Sequence, residues 1–373
     1  MPTIKAPFYG HVRQYHSIKK EIDEAVQSVL ESNQYVMGPA LKQFEQDLAR
    51  YSGTKHAVGV NSGTDALWLV FLALGIQPGD EIITTANTFF ATAEAIWIAR
   101  AKAVFVDCDP RTSNIDPAKI EAVITPKTRA IVPVHLYGLC ADMKAVSDIA
   151  RKHKLFVVED NAQAVDGHGA GWKQGELSDA VCLSFIIQKN LGTFGDGGAV
   201  VTSRDDIDAT VRKLRNHGSP ARSVHSMGYN SRLDDLHAAI LGVKLRHITR
   251  WTDRRRQIAR RYQQGLEKTR FKLPYEPSGY RHVFHLYVIE TPRRSELEKY
   301  LLEQGVDVKL HYPIAIHQQE GYPWGQLADP RPSVPNCERN AAECLSLPMF
   351  PELTDDEVDY TIEKCVEWDR RNR

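Results

Sequence analysis

Short, nearly continuous apolar runs separated by helical stretches restrict this chain more than any other feature. The runs cover residues 57–60, 81–86, 103–109, 130–136, 155–160, 180–185 and 197–203. They lack the apolar–polar alternation of a half-exposed strand, and their length suits buried strands better than helices. Helical stretches such as 67–74, 91–99 and 143–152 lie between them. Strands apolar on both faces must be covered on both faces, and helices returning after each strand provide the cover. The expected fold class is α/β, with a mostly parallel central sheet in a large domain. A ligand then belongs at the carboxyl ends of the strands.

The chain has further predicted parts on either side. Helical stripes occupy residues 17–32 and 41–51. Residues 235–268 read as one long helix, and its basic run Arg254–Arg256 with Arg260 and Arg261 reads as a solvated face. A smaller α+β C-terminal domain follows, with strands at 283–289 and 306–310. A capping box at Ser295–Glu298 starts a helix, and a second at Thr354–Glu357 starts the last one. The expected boundary lies near residue 250, giving a large domain at 1–250 and a small one at 251–373.

Candidate site residues cluster at the ends of the apolar runs. Lys189 stands on the connection between the runs at 180–185 and 197–203, among glycines that let backbone approach a ligand. A lysine amine becomes a nucleophile for carbonyl carbon when its surroundings lower its pKa. Ser62-Gly63-Thr64 joins a strand to a helix N-terminus, where free N–H groups, the helix dipole and hydroxyls favour a phosphate. Ordinary N-capping explains the same residues without a ligand. Asp160 closes the run at 155–160 with Gln163 beside it, Phe89 follows the run at 81–86, and Ser184 stands five residues before Lys189. One ligand uses an amine, a carboxylate, a phosphate cradle and an aromatic wall together: pyridoxal 5′-phosphate. The Gly167–Gly171 run does not read as a dinucleotide fingerprint, and no Walker pattern occurs.

Composition narrows the classes further. Lys+Arg and Asp+Glu are 47 each in 373 residues, so the net charge is zero and a general nucleic-acid or membrane-surface binder is not expected. No apolar run approaches the ~20 residues of a membrane span. The start of the sequence lacks a signal-peptide pattern. Six scattered cysteines form no CxxC pair, which suits reduced thiols in a cytoplasmic protein. No His, Cys and carboxylate set has zinc spacing, so no metal is expected.

At these residues the sequence resembles the DegT/DnrJ/EryC1/StrS family of sugar-nucleotide aminotransferases, of the aspartate aminotransferase fold. The matching stretches are 61–67, 133–138, 158–163, 184–192, 195–198, 216–218 and 228–234, with 311–313, His317 and 345–348 near the C-terminus. The resemblance implies that Lys189 condenses with the cofactor aldehyde and then serves as base. It implies that Asp160 pairs with the pyridine nitrogen, Gln163 reaches the ring hydroxyl and Phe89 stacks on the ring. Gly63, Thr64 and Ser184 would hold the phosphate. Asn230 would come from the other subunit of a homodimer. Tyr312 and His317 are the candidates for touching the sugar nucleotide, and either could equally be a packed residue. A related dehydratase branch carries histidine where this chain has Lys189, so transamination is expected. The stretch from Asn230 through 243–247 to Trp251 favours C3 amination of a dTDP-3-keto-6-deoxyhexose, with L-glutamate as donor. The alternatives are C4 amination of an NDP-4-keto-6-deoxyhexose, a pyridoxal-phosphate sugar dehydratase or lyase, and a regulator that has kept the fold without catalysis.

Overall fold

The computed structural model describes residues 4–219, 223–321 and 332–372; Met1–Thr3 and Pro220 lie outside the described residues. Its strands in chain order are β1 His56–Val60, β2 Glu81–Thr85, β3 Lys102–Val106, β4 Thr128–Ile131 and β5 Phe156–Asp160. The two-residue strands β6 His168–Gly169 and β7 Trp172–Lys173 come next. β8 Ala180–Ser184, β9 Gly198–Thr202, β10 Tyr287–Glu290 and β11 Cys344–Leu347 complete the set. Seven of them form one sheet in the order β1-β9-β8-β5-β4-β2-β3. Its pairs are parallel except those of β9, which runs antiparallel to both β1 and β8.

The apolar runs are strands because both faces are buried. Along β9, Val200 packs with Leu67, Val70 and Ile96 of the helices Gly63–Ala73 and Ala91–Ile98. Its neighbours Ala199 and Val201 point the other way, onto Leu41, Phe44 and Leu48 of the helix Pro39–Ser52 and Leu241 of the helix Asp235–Leu245. The helix Gly63–Ala73 is buried around its circumference from Ala66 to Phe71, so it shows no polar stripe. A further cluster seats Met143 and Val146 of the helix Met143–His153 on Ile83, Val104, Ile131 and Val157.

Several boundaries differ from the sequence reading. The run at 130–136 is a regular strand only to Ile131, two residues before Pro133, which has no N–H to donate, and beyond it Val134 keeps a single parallel bridge to Asp160. The run at 103–109 ends at Val106, and Asp107 turns away to meet Asn336 and Cys337. The long helix is two, Asp235–Leu245 and Ile248–Leu266, parted where Arg246 and His247 reach Glu21 at 3.1 and 2.9 Å. Its basic run is a solvated face only in part, at the exposed Arg260 and Arg261. Arg255 is buried, while Arg254 pairs with Asp355 and Arg256 with Glu276. The helix expected from a capping box at Ser295 begins at Arg294 with no side-chain cap, and Glu296 pairs with Arg293. The box at Thr354 and Glu357 is formed. Residues 283–286 are irregular, with Phe284 at φ 45°, and 306–310 makes two single bridges instead of a strand.

A C-terminal apolar cluster gathers Tyr287, Ile289, Leu297, Leu301, Leu345, Leu347 and Trp368. Ile258, Ala259, Tyr262 and Leu266 of the helix Ile248–Leu266 belong to it, whereas Ile248 packs with the sheet. Ala6 also belongs to it, through a bridge to Val306.

Candidate active site

The sheet topology brings the candidate residues to one edge. β2, β4, β5 and β8 are parallel and end there, and antiparallel β9 begins there with Gly198. β1 lies antiparallel to β9, so its last residue Val60 faces Gly198 at the same edge. A cavity of about 440 Å³ opens beside it, a volume typical of small-molecule sites. Ser62, Gly63, Thr64, Phe89, Asp160, Gln163, Ser184, Lys189 and Tyr312 all line it.

Lys189 sits on a pinned loop. Phe185 N–H donates to Gly197 at 2.7 Å, Thr193 N–H to Phe185 at 2.8 Å, and Lys189 N–H to Ile186 at 2.8 Å. The buried amine of Lys244 donates to Gly192 at 2.6 Å. Lys189 is part-exposed as a residue, but protein encloses its amine. Desolvation pulls its pKa down to about 8 against the opposing attraction of Asp160. Near neutral pH the amine is thus far closer to its nucleophilic form than a surface lysine.

Asp160 is buried at the end of β5. One carboxylate oxygen accepts the Thr92 hydroxyl at 2.7 Å, and the other accepts Ala162 N–H at 3.2 Å. Gln163 accepts Tyr137 N–H at 2.7 Å and donates to the Tyr312 hydroxyl at 3.1 Å. Phe89, half exposed, stands 5.4 Å from the Tyr312 ring.

The phosphate cradle is a close backbone contact. Ser62 is extended and its hydroxyl accepts Asp65 N–H at 3.0 Å, which fixes the helix start. That hydroxyl keeps its proton for a ligand. A Cβ at Gly63 would come within 2.7 Å of Ser184 Cβ, and one at Gly198 within 2.3 Å of Ser62 backbone. The turn therefore lies against β8 and β9 with only glycine fitting. The helix N-terminus, the Ser184 hydroxyl, the amine and the buried acid are the donor and acceptor set that pyridoxal phosphate needs, so the residues present fit that group.

Two sequence candidates lie elsewhere. His317 is buried outside the cavity lining, with Nε2 2.8 Å from Glu338, which fits the reading of a packed residue. Asn230 is exposed, bridges Asn216, and is not among the lining residues.

Other wall residues escaped the sequence reading. Phe8, Tyr9, Gly10, His11 and Gln14 line one side, and Met349 to Glu352 another. Arg255 lines the cavity with one guanidinium nitrogen shared among the carbonyls of Phe284, His285 and Met349. Burial lowers its pKa to about 10. His285 and His311 are held below the usual imidazole range, first by burial and then by Lys189. Apart from His311, which stands in the matching stretch 311–313, these residues carry no local motif; tertiary packing alone brings them to the site.

A profile of the DegT/DnrJ/EryC1/StrS aminotransferase family matches residues 16–366. The chain is 46% identical over 376 residues to a pleiotropic regulatory protein of Geobacillus stearothermophilus, covering 98% of this chain and 99% of that one. It is 41% identical over 371 residues to dTDP-3-amino-3,4,6-trideoxy-alpha-D-glucose transaminase of Streptomyces venezuelae, covering 99% and 97%. The crystal structure of S. venezuelae DesV in complex with a ketimine intermediate has a TM-score of 0.96 and 40% identity, covering 99% of this chain and 100% of that one. The match runs through the lysine loop, the acid strand and the cradle, and the chain belongs to the DegT/DnrJ/EryC1/StrS aminotransferase family, whose enzymes work with pyridoxal 5′-phosphate.

Proposed function

We propose that this aminotransferase moves the amino group of L-glutamate to C3 of a dTDP-linked 3-keto-6-deoxyhexose. The observation that carries the reading is the meeting of Lys189, Asp160 and the Ser62–Thr64 cradle in one cavity. The S. venezuelae transaminase, whose name specifies a 3-amino sugar, supports C3 over C4. We further propose a cytoplasmic homodimer in which Asn230 of one subunit completes the other's site. Among the described residues no helix is long and apolar enough to cross a membrane.

When bound, pyridoxal phosphate supplies an aldehyde that takes up the amino group and a ring that accepts an electron pair. Thr64, Gly63 and Ser184 hold its phosphate. Asp160 would pair with the ring nitrogen and favour its protonated form. Gln163, fixed by Tyr137 N–H, would hold the ring hydroxyl, and Phe89 would pack against the ring. Lys189, its amine mostly freed of the penalty of deprotonation, takes the α-proton of the donor and later returns a proton to the sugar carbon.

Incubating the purified protein with L-glutamate and a panel of dTDP-keto sugars, then identifying the product by mass and NMR, tests the reading. A 3-amino sugar with stoichiometric 2-oxoglutarate is expected. A 4-amino product overturns the position. Turnover of the sugar without an amino donor points to a dehydratase or lyase.

A further inference from the structure

Asp160 is not alone behind the cavity. Thr92, wholly buried on the first turn of the helix Ala91–Ile98, sits 2.7 Å from its Oδ2. Thr88, also buried, sits 3.0 Å from the Thr92 hydroxyl. Both threonines line the cavity. Directions follow from counting protons. Ionised Asp160 only accepts, so the single proton of Thr92 goes to it, and Thr88 must then donate to Thr92. The other Asp160 oxygen has a backbone partner, Ala162 N–H, which substitution of a side chain cannot remove.

We infer that Thr92, steered by Thr88, is a positioning residue for the reaction: its hydroxyl fixes the orientation of the Asp160 carboxylate toward the ring nitrogen. This rests on the reading of Asp160 as the nitrogen's partner. A hydrogen bond donated to a carboxylate stabilises the charged form, and in a buried site no water replaces a lost donor. Without it, the Asp160 carboxylate loses its side-chain anchor and can rotate out of line with the ring nitrogen, which would weaken its hold on the cofactor. Lys189, Tyr312 and Cys182 are the titratable groups that feel Asp160 electrostatically, and none of them replaces the lost donor. Thr88 and Thr92 lie outside every motif that carries the chemistry in the sequence, since a threonine near a helix start reads as a cap.

The test uses cofactor-loaded enzyme and three variants. Thr92→Val keeps the shape and removes the hydroxyl, and Thr92→Ser restores it. Thr88→Val leaves Thr92 in place but unsteered. Two quantities are read: kcat with glutamate, and the pH midpoint of the bound cofactor's absorbance. Thr92→Val should lower kcat about tenfold, the scale of one hydrogen bond to a charged group, and move the absorbance midpoint. Thr92→Ser should match wild type on both, and Thr88→Val should fall between. A Thr92→Val enzyme with wild-type kcat and midpoint overturns the inference, as does a Thr92→Ser enzyme impaired like the valine variant. If Thr92→Val does not fold, an unchanged Thr88→Val overturns it. Asp160→Asn separates the two levels: full turnover there sinks the reading of Asp160 itself, whereas silent threonine variants beside an impaired Asp160→Asn sink only the inference.

Discussion

At the scale of single residues, the site is defined by what burial does to one amine. Desolvation lowers the Lys189 pKa from 10.5 to about 8, and Asp160 recovers only part of the shift. Between those two values the unfolded chain binds more protons than the folded one, so this residue makes stability rise with pH. Lys189→Met removes the penalty. The cofactor-free variant should melt above wild type near neutral pH, and the gap should close as pH approaches about 10, where the amine is neutral in both states. Differential scanning fluorimetry across that range checks it; a constant gap would show that the amine is not desolvated. The same variant should form no borohydride-reducible adduct with the cofactor by intact mass. Gly63 gives a second prediction. Gly63→Ala must open the 2.7 Å contact with Ser184, an overpacking cost of about 1–3 kcal/mol. Cofactor affinity should fall more than the melting temperature of cofactor-free protein, because the displaced groups are those of the cradle. Fluorescence titration with pyridoxal phosphate reads the first quantity, thermal melting the second.

At the scale of elements, the strands were legible and their partners were not. A run such as 180–183 is apolar at every position because Ala180 and Cys182 face one helical layer while Val181 and Leu183 face the other. That pattern survives in sequence. The direction of β9 does not, since an apolar run reads alike in either sense. Caps made across the fold are equally hidden. The helix Pro39–Ser52 has no cap of its own, and Asp235 satisfies its start from nearly 200 residues away, accepting Gly38, Ala40 and Leu41 N–H at 2.8, 3.0 and 3.1 Å. Asp235→Ala should cost about 2 kcal/mol, the upper range for a cap because the freed N–H groups are buried. Urea unfolding checks it, with an unchanged slope expected. Asp107 acts likewise for the helix Pro335–Glu343, accepting Asn336 and Cys337 N–H as well as the Lys119 amine. Those bonds account for the closeness of Asp107 to the thiols of Cys108 and Cys337, whose ligand atoms lie within 4.8 Å of one another and of its carboxylate.

At the scale of the whole molecule, the cavity is a product of long-range closure. The sheet edge supplies the acid, the amine and the cradle, and those were readable because strand ends and turns mark them locally. The remaining walls come from Phe8, Tyr9, Gly10, His11 and Gln14, from Arg255 and from Met349–Glu352, which meet only after the chain has folded. Phe8 shows how the first residues are held. Its ring is buried among Val134, Leu136 and Tyr137 from beside the sheet, Leu286 just before β10 and Val288 within it, and it stacks 5.8 Å from His311. It thus joins both sides of the cavity from a segment that belongs to neither. Phe8→Ala removes a ring packed on two sides and should destabilise the protein by about 3–4 kcal/mol. If Phe8 also shapes the cavity, the damage has a second part: its KM for the amino acceptor should rise more than its kcat falls, because Tyr9, His11 and Gln14 lose their anchor while Lys189 and Asp160 keep theirs. Phe8→Leu should recover most of the stability and only part of the KM. Chemical denaturation paired with steady-state kinetics at saturating glutamate separates the two parts, and an unchanged KM in a folded Phe8→Ala enzyme would mean that the N-terminal wall braces the fold without shaping the site.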